Sequence, residues 1–409
     1  MPVPVMGMGC ITAAGRTLRE TLEGFSAPHA PRRPALFAPE CEQPVFQCDM
    51  PEDNAQWTQR LRHAYPPDIA TQMNRTAQLA LLAVDEALHH AGLAPAELKG
   101  RRVGICVGTS VGASLDLFAY YKEYSRNSNA LDPVPGTIFR YLHSNPALAI
   151  QNLLGVQGPT LTVTNACSSG ADALGIAASW LQQGVCDMAI AGGADAISYI
   201  TYLGFRSLKI LSPEWCKPFD ANRKGLNIGE GAGMVILKRP DPASAEASCF
   251  GAIMGYGTAT DAHHLTAPHP DAVGLKKALG RALDSACVTT KDIAFINAHG
   301  TGTPTNDLTE GRFFGEFFPN TPFISSKGLT GHTLGAAGAI EAIITLSHLH
   351  LGALPASIGF EHGDAALGVT PVAATTPITG AIAMSQSLAF GGNNSVLILK
   401  KGTASCLWQ

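Results

Sequence analysis

Four short segments place reactive or flexible residues where an apolar or β-branched run gives out. The first is Val163-Thr164-Asn165-Ala166-Cys167-Ser168-Ser169-Gly170. The pattern predicts a strand over 159–164 and a small-residue helix over 168–183. Cys167 then sits beside free backbone N–H groups at the positive end of a helix, where a thiol pKa is lowered and the nucleophilic thiolate favoured. The alternative is a small core cysteine. The second segment, Asn297-Ala298-His299-Gly300-Thr301-Gly302-Thr303-Pro304, carries His299 on a Gly/Thr loop, with Asp307 and Glu310 beyond. It can present an imidazole to a cleft, or simply hold a hydrogen-bonded histidine.

The third segment, Ser325-Ser326-Lys327-Gly328-Leu329-Thr330-Gly331-His332-Thr333-Leu334-Gly335, leads into a helix bearing Glu341. If this charge-poor stretch is buried, Lys327 needs a partner or a task; otherwise it is a surface lysine near a structural histidine. The fourth, Ala389-Phe390-Gly391-Gly392-Asn393-Asn394, is either a hairpin turn or a mobile gate supplying a backbone N–H.

The elements that must position these segments follow from periodicity. Strands are expected at 3–8, 102–108, 159–164, 187–192 and 233–238, and again at 253–258, 293–297, 380–386 and 395–400. Helices are expected at 74–91, 168–183, 274–287 and 335–350. Residues 27–71 are Pro-rich and irregular, and 114–145 read as an insertion or cap. Strand–helix alternation in two successive sets predicts an α/β fold with covered, parallel-rich sheets in two halves, 1–246 and 247–409. The duplication is expected in pattern rather than in recognisable sequence.

Composition narrows the class. At 409 residues with 46% hydrophobic content the chain can bury a large core, and a formal charge of -4 gives no basic field for nucleic acid. The first fifteen residues lack the form of a signal peptide, and no uninterrupted apolar run reaches the roughly 18–20 residues that span a bilayer. The ten cysteines contain no CxxC pair, so free thiols and a cytoplasmic location are expected. His263-His264 and His348 with His350 lack metal-ligand spacing, so no metal is expected.

Together and in order, the four segments resemble the elongating β-ketoacyl-acyl-carrier-protein synthases of the thiolase-like superfamily. Gly7-Met8-Gly9, 103–112, Gly158-Pro159-Thr160, Pro218-Phe219-Asp220, 229–233 and Asp261-Ala262-His263-His264 extend the resemblance over nearly the whole chain. It implies a layered thiolase-like fold, α-β-α-β-α, and decarboxylative Claisen condensation of a cysteine-bound acyl group with a malonyl carrier. In that scheme Cys167 is the acyl-accepting nucleophile, and His299 and His332 bind the malonyl thioester carbonyl. Lys327 and Glu341 support them, while Thr301 and Thr303 contact the phosphopantetheine arm. Phe390 is the gating aromatic whose N–H joins that of Cys167 in an oxyanion hole. No cofactor is implied beyond carrier-borne phosphopantetheine. The implied partners are acyl carrier protein, with Lys209 a docking candidate, and a second subunit: a homodimer, or a heterodimer with an inactive chain-length-factor paralogue contacting 114–145. His264 is expected to be structural.

His332 in place of Asn or Cys favours elongation over priming or thiolase chemistry, and the retained Cys167 argues against an inactive subunit. Gly302, Lys224, Leu226 and Asn393 depart from the family's common Ser, Asp, Phe and Thr. The resemblance places Leu226 near the family's acyl pocket and Val111 in a loop that limits pocket depth in some members, which suggests an altered chain, as in a specialised polyene or polyketide pathway. A non-decarboxylating acyltransferase and a non-catalytic partner subunit are the other readings.

Overall fold

The computed structural model describes residues 1–31, 42–50, 73–112, 125, 144–240 and 249–404. Among the described residues ten strands make one mixed sheet: β1 (Val3–Thr12), β2 (Val103–Gly108), β3 (Thr160–Val163), β4 (Met188–Asp195), β5 (Gly231–Lys238), β6 (Gly251–Thr260), β7 (Phe295–Asn297), β8 (Phe323–Ile324), β11 (Ile382–Ala389) and β12 (Asn393–Lys401). β9 (Ala353–Leu354) and β10 (Thr376–Pro377) form a separate ribbon. The order is β3-β2-β4-β5-β1-β6-β12-β11-β7-β8, so the two sets of five follow the same succession outward from β1 and β6. Val3–Val5 of β1 and Gly251–Ile253 of β6 join the two sets, antiparallel.

Alternation along the strands assigns the layers, because successive side chains face opposite sides. Ile105, Val107, Ile190, Met234 and Ile236 pack with the Arg75–His90 helix. Cys106, Ala189, Ala191, Val235 and Leu237 face the other way, onto the Ser169–Gln182 and Ala337–Leu351 helices. Leu397 and Leu399 of β12 close on those same two helices, and Val396 and Ile398 turn out to the Val273–Ala286 helix. The result is the layered α-β-α-β-α arrangement of a thiolase-like fold. Leu334–Leu351 is long and apolar enough to cross a membrane by length and composition, and 89% of it is buried between the strand sets.

The duplication, expected in pattern, also shows at a few matched close contacts. A Cβ on Gly9 would lie 2.0 Å from the Ala83 carbonyl oxygen, and one on Gly257 2.1 Å from that of Ala278. Gly7 and Gly255 stand 2.2 Å by the same measure from Ala87 and Ala282. Each Gly-x-Gly strand thus lets an Ala-x-x-x-Ala helix lie directly on its backbone. The inner helices are entered alike, through 3-10 turns at Ala166–Ser168 and Leu334–Ala336 whose first residues have φ of 49° and 53°. Cys167 and Gly335 therefore occupy equivalent places.

The expected strands and helices are present with ends shifted by a few residues. The Pro146–Leu154, Tyr199–Ser207 and Pro304–Phe317 helices were not expected. The last turns Asn306, Asp307 and Glu310 inward, so its buried face is polar over the first two turns and apolar only from Phe313 and Phe314 on. Residues 42–50 are irregular apart from bridges at Val45 and Phe46, where Phe46 pairs with Gly229. The expected boundary at 246/247, and all of the 114–145 insertion except Ser125, Ser144 and Asn145, lie outside the described residues.

Candidate active site

Cys167 is 4% exposed, on the turn that opens the Ser169–Gln182 helix. Asp172 fixes that turn: one carboxylate oxygen accepts from Asn165 Nδ2 at 2.6 Å and Ser168 Oγ at 2.9 Å. The other accepts from Tyr256 Oη of β6 at 2.7 Å and from Ser395 Oγ of β12. The turn is thereby tied to the opposite strand set.

The two histidines come from that set. His332 Nε2 lies 3.1 Å from Cys167 Sγ, and the His299 and His332 rings are 5.2 Å apart and nearly perpendicular. His332 is held through its backbone, its N–H donating to the Asn227 carbonyl at 2.8 Å and its carbonyl accepting from Gly229 at 2.9 Å. His299 follows β7, and Glu310 accepts its N–H at 2.8 Å and that of Gly300 at 2.7 Å. Lys327, 1% exposed, lies behind His299. Its Nζ is 3.1 Å from His299 Nδ1, bonds the His299 carbonyl, and reaches Glu341 Oε1 at 2.5 Å. Cys167 with His332, and His299 with Lys327 and Glu341, are two buried bonded sets that meet edge to face at the two imidazoles.

Its electrostatics follow from burial. Desolvation, with the Lys327 charge second, holds both imidazoles well below their ordinary pKa, so they are neutral at pH 7. An ammonium can only donate, so His299 Nδ1 accepts and the ring proton resides on Nε2. Burial pushes Glu341 up to about 7 against the pull of Lys327. It also pushes the Cys167 thiol up to about 11, which corrects the expectation of a lowered thiol. Lys327 and the Phe390 backbone N–H pull the sulfur down, but neither offsets its removal from water. One ligand atom from each of Cys167, His299 and His332 falls within 4.8 Å of the others, a spacing that could hold a soft metal. The Lys327 ammonium opposes a cation there and occupies a lone pair of His299.

These residues open onto a cavity of about 260 Å³ lined by Thr301, Thr303, Leu226, Ile210, Phe205 and Phe390, among others. Thr301 and Thr303 share a hydroxyl hydrogen bond of 2.8 Å. The Phe390 loop takes left-handed conformations at Gly391 and Gly392 and is latched by Gly391 N–H to Leu265 O at 2.7 Å and Asp261 N–H to Gly392 O at 2.7 Å. Asn393 Nδ2 donates to Phe390 O at 3.4 Å.

Val111 lies in the turn after β2 and does not line this cavity among the described residues. Lys209 and Arg206 are exposed at the end of the Tyr199–Ser207 helix. Lys224 pairs with Glu214 at 3.2 Å at the surface. His264 Nδ1 accepts from Thr266 N–H at 3.1 Å, closing its own loop. Phe205 is the functional side chain that sequence reasoning missed. It stacks on Phe390 with centroids 5.4 Å apart and meets His332 edge-on at 6.4 Å. Its helix was not anticipated, and nothing local to Phe205 marks it.

Residues 1–243 match the family model "Beta-ketoacyl synthase, N-terminal domain", and residues 250–361 match "Beta-ketoacyl synthase, C-terminal domain". The 3-oxoacyl-[acyl-carrier-protein] synthase 2 of Staphylococcus aureus is 34% identical over 352 residues, 81% of this chain and 83% of that protein. Its namesake from Synechocystis sp. is 32% identical over 421 aligned positions, 98% of each chain. The solved "ishigamide ketosynthase/chain length factor" superposes with a TM-score of 0.88 at 31% identity, covering 98% of this chain and 99% of that one.

Proposed function

The chain belongs to the β-ketoacyl synthase family of acyl-transferring condensing enzymes, and from that premise we propose the roles its buried residues play. Cys167 Sγ attacks an acyl thioester presented by a carrier protein. The new S–C bond forms as the carrier thiolate leaves and takes up the thiol proton, while His332 Nε2–H, 3.1 Å away, donates to the sulfur. The backbone N–H groups of Cys167 and Phe390 hold the tetrahedral oxyanion, a device whose loss typically costs about 100- to 1000-fold.

A malonyl thioester then loses CO2, and its bonding electrons become an enolate whose charge rests on the thioester oxygen. His299 Nε2–H is one donor to that oxygen. His332, freed from the thiol once Sγ is acylated, is the other. The enolate carbon attacks the acyl-Cys167 carbonyl and the Cys167 thiolate departs, leaving a β-ketoacyl thioester. Thr301 and Thr303 line the phosphopantetheine path, Phe390 and Phe205 form its gate, and no step calls for a metal or redox cofactor. The observation that carries this reading is the tautomer lock: Lys327 on His299 Nδ1 forces the neutral ring to offer N–H rather than a lone pair.

Leu226 in the cavity wall, and the likeness to the ishigamide ketosynthase, support a non-standard acyl chain in a specialised pathway. The same relative, named with a chain length factor, supports a paralogous subunit as partner, the homodimer being the alternative. Exposed Arg206 and Lys209 suit an acidic carrier protein. The test is mass spectrometry of Cys167 incubated with a panel of acyl carriers and then with malonyl carrier. Acylation at Cys167 followed by a β-ketoacyl product supports the reading. Acylation without CO2 release indicates a plain acyltransferase, and no acylation a non-catalytic subunit.

A further inference from the structure

Asp172 is buried, and neither it nor its partners Tyr256 and Ser395 are among the described residues that line the cavity. All four of its donors are side chains. Asn165 Nδ2 at 2.6 Å and Ser168 Oγ at 2.9 Å come from the turn that carries Cys167, and Tyr256 Oη at 2.7 Å and Ser395 Oγ come from the opposite strand set. Such a buried polar set is not the most stable filling by default, because apolar side chains of similar volume often pack as well or better.

The internal duplication contains that apolar filling. Matching Gly7 and Gly9 to Gly255 and Gly257 pairs Tyr256 with Met8. Matching the turn at Cys167 to the turn at Gly335 pairs Asp172 with Ile340, Gly175 with Ile343 and Ser168 with Ala336. Val396 lies opposite Gly257 as Met234 lies opposite Gly9, so Ser395 answers to Gly233. These counterparts pack together: a Cβ on Gly233 would lie 3.1 Å from Ile340 Cα, and Met8, Ile340 and Ile343 share one core cluster. In the first half Gly175 instead makes room for the tyrosine, since a Cβ there would fall 2.3 Å from the Tyr256 ring. Of the four donors only Asn165 has a polar counterpart, Thr333. The polar set therefore belongs to the half that bears the nucleophile.

The two turns are also pinned differently. Gly335 gives its own N–H to Asp195 Oδ2 at 2.6 Å. Cys167 cannot spend its amide in that way if the N–H is to receive an oxyanion. Its turn, with Ala166 left-handed at φ 49°, has to be held through the side chains on either side of Cys167. Asp172 holds it there, at Asn165 and Ser168. We propose that Asp172, braced by Tyr256 and Ser395, is a positioning residue that aims the Cys167 N–H at the oxyanion while leaving that amide unspent. The inference rests on the reading of Cys167 as acyl acceptor. It concerns the tetrahedral intermediate and not the thiol, because the charges that act most on the sulfur are those of Lys327, Asp195 and Glu341.

The experiment compares two reactions of Cys167, both read by mass spectrometry. Alkylation by iodoacetamide passes through no oxyanion, whereas transfer from an acetyl carrier does. The variants are Tyr256→Phe, Asp172→Ala, and a copy of the second half's filling that combines Asp172→Ile, Gly175→Ile, Tyr256→Met and Ser395→Gly. Tyr256→Phe keeps the ring on Gly175 and should slow acetyl transfer several-fold. Asp172→Ala should slow it by about tenfold or more, a part of the 100- to 1000-fold that a lost oxyanion donor typically costs. Both should act on kcat with KM unchanged, and alkylation should stay within about twofold, since neither the cavity nor the thiol is touched. The copied filling should melt at or above the wild-type temperature and still transfer acetyl as slowly as Asp172→Ala. Parallel loss of alkylation and acetyl transfer, or wild-type transfer in Asp172→Ala or in the folded copy, overturns the proposal. If the copy does not fold, the ratio of the two reactions in the single variants decides. If wild type takes up no acetyl group at Cys167, it is the reading of function that fails.

Discussion

Replacing Lys327 by Met separates the structural from the chemical work of the buried charge. Lys327 Nζ bonds His299 Nδ1 at 3.1 Å, the His299 carbonyl, and Glu341 Oε1 at 2.5 Å, and both charged residues are at most 2% exposed. Removing one member of a buried ion pair costs about 3–5 kcal/mol because the other charge is left without compensation. Glu341 offers an escape by taking up a proton, its pKa already being pushed up to about 7 with Lys327 present. Without Lys327 it rises further. A carboxyl whose folded pKa exceeds its unfolded one keeps a proton in the folded state that the unfolded chain has lost, so stability falls as pH rises above the unfolded value of about 4.5. Lys327→Met should therefore be penalised more at pH 8 than at pH 6, and Lys327→Met with Glu341→Gln should recover most of that loss.

The chemical effect should persist in the double variant. His299 loses a charge-assisted bond, about 1.5–3 kcal/mol, and with it the preference for Nε2–H, so malonyl decarboxylation should slow about 10- to 100-fold. Acyl transfer to Cys167 should fall less, since Lys327 acts on the sulfur only through its charge. The assay pairs denaturant unfolding at two pH values with separate rates of CO2 release and Cys167 acylation. Wild-type CO2 release in the double variant, or equal loss in both steps, would refute the tautomer argument.

Because the Cys167 thiol is pushed up to about 11, its alkylation by iodoacetamide should climb about tenfold per unit from pH 7 to pH 9 without levelling; a plateau near neutrality would show an activated thiolate instead. Leu226→Phe should fill the cavity wall beside Tyr202 and Ile228, costing about 1–3 kcal/mol and abolishing the longest accepted chain first, as read from acylation across chain lengths. Gly302 has φ 77°, and its Cβ would meet the Gly225 carbonyl oxygen at 2.8 Å. Gly302→Ser should therefore destabilise the fold by about 1–2 kcal/mol or more in denaturant titration, and an unchanged midpoint would show that the loop yields.

The sequence by itself determined which residues meet. Strand and helix periods were strong because the sheet is covered on both faces and the inner helices are made of small residues. Cys167, His299, Lys327, His332 and Phe390 each stand where such an element ends, and their types and order carried the family resemblance that implied the chemistry. Local pattern could not supply what depends on partners far along the chain. Phe205 matters because it stacks on Phe390, a contact across a separation that no periodicity encodes. The polar inner face of the first two turns of Pro304–Phe317 concealed a helix whose carboxylates hold the His299 loop. The thiol was misjudged for the same reason: the helix end that lowers a pKa was legible in sequence, but the burial that raises it is a property of the packed protein. Only the tertiary structure decided the sign, because desolvation depends on everything that surrounds Cys167 and not on its neighbours in the chain.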